Sequence, residues 1–486
     1  MAIEAAPRKM GSWPAIRLLL LRTHFLAGVF VAPLLIVIFV SGVLCAFAPQ
    51  VENLVYHREL VVDNTGGVAR PLAEQLAAAR QAHPTGAPAT VRTPDAPDGT
   101  TAFVFRVDDR VADIVYVDPY TAQVRGELAT VDGRTPLEQW LRDLHGSLHL
   151  GTVGRVLVEA ASLWLVVLLG GGLALWLARR RRERRATGGR SRLRGWHCKV
   201  GVAVSLGLLA LVVTGVIRSP FTGARTAGLL AEHPPVPPVA ASGPPAVTLD
   251  QAVAAAGLTG PLTIDLPADD RPYVITERTH TWPVRTDRAV VHPASGDLLA
   301  VDRRADLPPA TALATLGVLA HSGALFGLAN QIVAAALMVG TLCVIVWGYR
   351  MWWRRGARRG APVRRGVLRA MPPRPRLITV AVTAAVCVAL PAFGLSLLAF
   401  LIIDSAVERA RHRAQPPDLA RQTEKERKSD ARTNARLHSG RCADSRGPGG
   451  VGGGQRPARG AGVRHTGGLQ VRPARQHLRG GPEDPA

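Results

Sequence analysis

Five histidines stand at the edges of long apolar stretches, and matched small residues accompany four of them. His24 is followed by Gly28, Ser41 and Gly42, and His197 by Gly201, Thr214 and Gly215, at identical offsets. His145 leads to Gly151, Gly172 and Trp176, and His321 to Gly327, Gly348 and Trp352, again at identical offsets. The fifth, His149, lies four residues after His145. An ionisable side chain at a membrane boundary is costly without a partner. Neutral imidazole ligates haem iron or another metal through one ring nitrogen. A single histidine in such a place more often makes one interfacial hydrogen bond, but four in matched positions form a constellation. Zinc or copper fits less well than haem, because no carboxylate or thiol cluster accompanies these histidines.

Membrane helices must position these residues. The chain has 486 residues, of which 47% are hydrophobic, and 59 Lys and Arg against 36 Asp and Glu give a formal net charge of +23. A soluble nucleic-acid binder of that charge would rarely be so apolar, and the Arg clusters sit at the ends of apolar runs, so no nucleic-acid partner is expected. Runs at 25–48, 156–178, 200–217, 328–349 and 377–403 approach or exceed the ~20 residues of a spanning helix. Backbone groups there have no water to bond, so helices are expected.

The predicted fold is a polytopic α-helical membrane protein. Its spans cover 16–48, 135–178 with a preceding amphipathic turn, 196–218, 309–353 and 377–403. The matched offsets point to a duplicated helix–external domain–helix unit that yields a four-helix core, with the fifth helix outside it. Pro33 and Pro391 are the only proline interruptions, and no helix is expected to break at mid-membrane, which argues against ion transport. Thr135-Pro136-Leu137-Glu138 reads as a capping box opening the segment that carries His145. Glu159 is expected to pair with Arg155 one turn before it, and Trp176, Trp352 and Trp353 to anchor helix ends at the interface.

Charge orients the spans. Residues 179–199 hold ten basic residues and one acid, and 350–376 hold ten Arg and no acid. Loop 51–140 has eight basic and thirteen acidic residues, and 221–310 has seven and ten. Positive segments stay cytoplasmic, so residues 1–15, 179–195 and 354–376 are placed inside a bacterial-type inner membrane. Both long loops, 51–134 and 219–308, are then external. His24 and His197 fall at an inner level, and His145, His149 and His321 at an outer one. Either level offers two axial ligands for a b-type haem. There is no C-x-x-C or C-x-x-C-H, which excludes c-type haem attachment and argues against an iron–sulfur cluster.

Each long loop reads as a small α+β domain. The first has a helix over 71–82, strands over 101–107 and 112–117, and a turn from Asp118 into Val124. The second has a helix over 248–256, strands over 262–266, 271–276 and 288–291, and a matching turn from His292. The basic, Gly- and Pro-rich tail 404–486 is expected to be disordered, and its composition suits an out-of-frame read of high-GC coding DNA.

The His/Gly helix starts, L-H-G-S-L-H-L-G at 144–151, A-H-S-G-A-L-F-G at 320–327 and the V-D-P-Y-T-A-Q-V turn carry a family resemblance. Over roughly residues 15–405 the chain resembles the PepSY-associated transmembrane-helix family, with a PepSY-like domain in each external loop. Some members resemble inner-membrane reductases that release iron from ferric siderophores and carry b-type haem. The resemblance implies two haem b groups, one between His24 and His197 and one between His145 and His321. Gly28 and Gly201, one turn beyond each inner histidine, would leave room for the macrocycle. His149 is an alternative outer ligand, a propionate partner or a substrate contact. Beyond membrane lipid, the implied partners are a separate electron donor and a ferric complex or siderophore. No G-x-G-x-x-G follows a strand and no flavin fingerprint is present, so no NAD or flavin site is expected. PepSY domains alone resemble binding or inhibitory modules, so the alternative is a non-catalytic scaffold for an external protein or peptidase.

Overall fold

The computed structural model describes residues 11–413, apart from 109, 132, 184–191, 220, 226–233, 237–244, 269–270 and 356–365. The first span is α1 (Ser12–Phe30) followed by α2 (Ala32–Ala46), bent by 60° at Val31. The expectation of unbroken spans fails here, and the cause is Pro33, which has no N–H to give to the Val29 carbonyl. The hydroxyl of Tyr349 donates to that carbonyl instead, at 2.8 Å. Short helices α3 (Ala48–Val55) and α4 (His57–Leu60) then lead into the first long loop.

That loop holds α5 (Leu72–Ala82) and strands β1 (Pro88–Arg92), β2 (Thr101–Arg106), β3 (Val111–Val117) and β4 (Val124–Val131). The second loop holds α9 (Leu249–Ala256) and strands β5 (Leu262–Asp265), β6 (Tyr273–Glu277), β7 (Arg288–Val291) and β8 (Leu298–Asp302). The two loops were expected to form separate domains. They form one antiparallel sheet instead, in the order β4-β3-β2-β1-β5-β6-β7-β8.

The seam is β1 against β5, pairing Thr90 with Asp265, Val91 with Ile264 and Arg92 with Thr263. Each half-sheet would otherwise present an unpaired edge, and mutual pairing removes both. Helices α5 and α9 cover one face. Under them Leu76, Phe103, Phe105, Val115, Ile264 and Ile275 belong to one buried cluster that runs across the seam. Asp250 of α9 accepts hydrogen bonds from Leu72 N (2.8 Å) and Ala73 N (2.9 Å), and so caps α5 from the other half.

Between the two loops run α6 (Pro136–Ser147), α7 (Gly151–Glu183) and α8 (Arg192–Ile217). After the sheet come α10 (Pro309–Ser322), α11 (Leu328–Arg354), α12 (Val367–Ala370), α13 (Pro373–Ala389) and α14 (Pro391–Arg413). Among the described residues, α7, α8 and α11 are long and apolar enough to cross a membrane, and α1 with α2 counts as a fourth span. The span expected over 135–178 is α6 plus α7, separated at Leu148 and His149 with φ of 52° and 55°, and α7 opens on Gly151 with φ of 56°. The span expected over 309–353 likewise divides at Gly323 and Gly327.

The fifth helix expected over 377–403 breaks at Leu390, because Pro391 disfavours helical backbone in the residue before it. Helix α14 runs on to Arg413, so residues 404–413 are helical where disorder was expected; the rest of that tail lies outside the described residues. Arg22 of α1 grips both Asp404 oxygens at 3.0 and 2.9 Å. Trp164 Nε1 donates to Ser396 Oγ at 3.0 Å, fixing α14 against α7.

Continuity of the sheet has a measurable consequence. Ile264 is fully buried and sits on the seam strand. Ile264→Ala should cost about 2–4 kcal/mol. Hydrogen exchange should then accelerate in 101–117 as well as in 273–291. Loss confined to 273–291 would mean that the halves fold independently.

Candidate functional site

Four imidazoles are held by one repeated device. His24 on α1 donates from Nδ1 to the Leu168 carbonyl of α7 at 3.1 Å, and His197 on α8 to the Val344 carbonyl of α11 at 3.0 Å. His145 on α6 donates to the Ile38 carbonyl of α2 at 3.0 Å, and His321 on α10 to the Leu211 carbonyl of α8 at 2.8 Å. A helical carbonyl is overhung by the Cβ of the residue four positions on, because Cα–Cβ bonds tilt towards the helix N-terminus. In all four acceptor helices that residue is glycine: Gly172, Gly348, Gly42 and Gly215. A Cβ built on Gly172 or Gly215 would lie 3.0 Å from the His24 or His321 Cε1, and one on Gly42 would lie 3.1 Å from that of His145. At Gly348 the distance to His197 is 3.7 Å. Gly172, Gly42 and Gly215 leave a slot that a Cβ would crowd, whereas at Gly348 a Cβ would make ordinary contact with the ring.

The rings meet in two facing pairs, His24 with His197 and His145 with His321. Ring centres are 6.5 Å apart in the first pair and 6.4 Å in the second. Because Nδ1 carries the proton given to the carbonyl, Nε2 is the unprotonated nitrogen, and among the described residues it makes no hydrogen bond in any of the four. Two imidazoles binding one ion from opposite sides, at ~2.0–2.1 Å per bond, place their ring centres roughly 6.3–6.5 Å apart once ring size is added. In separation each ring pair suits the holding of one haem iron, and the carbonyl contacts would orient such ligands.

The two pairs differ in detail. Ser41 Oγ lies 3.1 Å from His145 Nδ1 while donating to Ile38, and Thr214 Oγ1 lies 3.2 Å from His321 Nδ1 while donating to Ala210 and Leu211. Each of these rings therefore has a second acceptor. The pair of His24 and His197 has carbonyls alone.

A cavity of about 1120 Å³ lies at His145 and His321, lined by Gly42, Gly215 and Met338 and by charged residues of both signs, Arg142, Arg155 and Arg218 with Glu138, Asp143 and Glu159. Glu52 of α3 also lines it; burial pushes its carboxyl above the ordinary value, against the opposing hydrogen bond from Thr135. Thr135 Oγ1 accepts from Glu138 N at 3.2 Å as an N-cap should, while the Glu138 carboxylate turns to Arg142 at 2.6 Å.

Several sequence expectations change here. His149 does not share a helix face with His145, because α6 ends at Ser147 and His149 is left-handed; its exposed ring is tilted against Trp140 at 5.1 Å, and it lines the cavity at His145. Gly28 and Gly201 face Leu168 and Val344 with 4.0 Å of clearance, so the glycines against the rings are Gly172 and Gly348. Glu159 accepts from Phe221 N, Thr222 N and the Thr222 hydroxyl at 3.3, 3.1 and 2.5 Å, closing the loop after α8 rather than pairing with Arg155. Trp176 lies under Arg180 at 5.1 Å, as an interfacial anchor can.

A family model described as a PepSY-associated TM region matches residues 21–355, which include all five histidines. No curated protein matches the chain.

The glycine slots can be tested without any cofactor. Gly172→Val should lower stability by about 1–3 kcal/mol through overpacking against His24. Gly28→Ala should be neutral or stabilise by up to ~1 kcal/mol through helix propensity. Thermal unfolding in detergent reads both, and equal effects would refute the distinction.

Proposed function

The chain belongs to the family of PepSY-associated TM regions and is a multi-pass membrane protein, and on that footing we propose that it moves electrons through the bilayer to reduce a ferric complex, such as a ferric siderophore. The observation that carries this reading is the pair of facing imidazole couples, each ring fixed through Nδ1 with Nε2 free. Haem b bound by each couple would supply a reversible one-electron Fe(III)/Fe(II) change. His24 and His197 would hold one group, and His145 and His321 the other.

Helix α8 sets their separation. It bears His197 near one end and the Leu211 carbonyl that fixes His321 near the other, about 21 Å apart at 1.5 Å per residue. Leu35, Phe39, Trp164, Leu208 and Met338 belong to one buried apolar cluster of the helices, part of which also lines the cavity at His145 and His321. The positive segments 179–199 and 350–376 support a cytoplasmic level for His24 and His197. On that reading the cavity beside His145 and His321 opens on the external side of an inner membrane, with arginines and carboxylates both in its lining. The duplicated unit accounts for why both halves use the same His, Gly and carbonyl arrangement. The electron donor is a separate protein or a quinol, since the chain has no nucleotide-binding fingerprint.

Purified protein should show reduced b-type absorbance bands and two haems per chain. His197→Ala should leave one, and His145→Ala should leave the other. Two haems retained in His197→Ala would refute the ligand assignment, and a colourless folded protein would leave the scaffold reading.

A further inference from the structure

A second constellation lies on the sheet, away from the four paired imidazoles. His83 is the residue that ends α5, its backbone N–H closing on the Ala79 carbonyl at 2.9 Å. There its ring rests on Phe105 of β2, with centres 4.6 Å apart. Register supplies the other two members. Asp113 of β3 pairs with Phe105, and Glu127 of β4 pairs with Val115, two residues along from Asp113, so both carboxylates project from the helix-covered face. Helix end and strand register thus bring an imidazole and two carboxylates from three elements to one point, with one ligand atom from each lying within 4.8 Å of the others.

His83 Nδ1 lies 3.0 Å from Glu127 Oε1, which by itself would be an ordinary ion pair. Asp113 is what that pair leaves unexplained. Its carboxylate is half-buried, has no hydrogen-bond or ion-pair partner among the described residues, and lies within 4.8 Å of a second carboxylate whose partner is His83. A cation between the three would answer that charge. Ligands ~2.1 Å from a tetrahedral ion sit ~3.4 Å apart, which this cluster reaches with small side-chain adjustments.

We propose that His83, Asp113 and Glu127 bind a divalent first-row transition ion of the zinc class. An imidazole with two carboxylates suits zinc better than calcium or magnesium, which favour all-oxygen shells. Three protein ligands leave a fourth position for water, open to the side where Glu127 is 41% exposed. The site is independent of the haem reading and stands or falls separately.

The test is a Zn²⁺ titration of the full-length protein in detergent, stripped with chelator and read against a competing zinc indicator. Asp113→Asn and Glu127→Gln keep side-chain size and should each lose one zinc equivalent or weaken it at least tenfold, while millimolar Ca²⁺ leaves the wild-type zinc in place. His83→Ala should behave alike. Should that variant unfold by circular dichroism, the exposed Glu127→Gln still decides the matter. Wild-type stoichiometry and affinity in Asp113→Asn and Glu127→Gln, or displacement of zinc by Ca²⁺, would overturn the proposal.

Discussion

The molecule depends on a backbone carbonyl made accessible inside a helix. A carbonyl in an α-helix already accepts from the N–H four residues on, yet its second lone pair can take a further donor if nothing overhangs it. Glycine at that fourth position removes the overhang. Here the arrangement occurs four times, at Ile38, Leu168, Leu211 and Val344, and each time the donor is an imidazole Nδ1. In an apolar interior such a bond fixes both the tautomer and the ring orientation, because the alternative is an unpaired polar group. The geometry of the paired rings follows from it.

The connectivity makes the device reciprocal. In the first half, α1 offers His24 to a carbonyl of α7, while α6, just ahead of α7, offers His145 to a carbonyl of α2. In the second, α8 offers His197 to α11, and α10 offers His321 to α8. Each half thus clamps its own pair of spans at both ends, and the facing ring pairs lie between halves. The breaks serve this arrangement. Leu148, His149 and Gly151 turn the chain between α6 and α7, and Gly323 and Gly327 do so between α10 and α11, so His145 and His321 sit on short helices of their own. The continuous sheet joins the same halves a second time through β1 and β5.

Much of this was legible in the residues. Matched offsets singled out four histidines and all four slot glycines, and apolar runs located the spans. Their partners were not legible, because an acceptor carbonyl has no letter in a sequence and only the glycine four residues later marks it. For that reason Gly28 and Gly201, nearer in sequence to the histidines, drew the attention that Gly172 and Gly348 merit. The fused sheet was hidden because β1 is a five-residue strand beginning at Pro88, and its partner β5 lies some 170 residues away. Non-Gly residues in the left-handed region, such as Leu148 and His149, are rare enough that nothing local announces them. The bend at Val31 was signalled by Pro33, and the missing element was Tyr349, which makes the bend tolerable.

In the proposed function, imidazoles oriented by carbonyls would grip haem iron from both sides at two levels. Electron paramagnetic resonance of the oxidised, full-length protein tests this most directly, since axial ligation by two imidazoles gives low-spin ferric haem. Two low-spin signals are expected, one of which disappears on replacing either member of a ring pair. A high-spin signal alone, or a folded protein with no ferric haem signal after expression with ample haem supply, would contradict it.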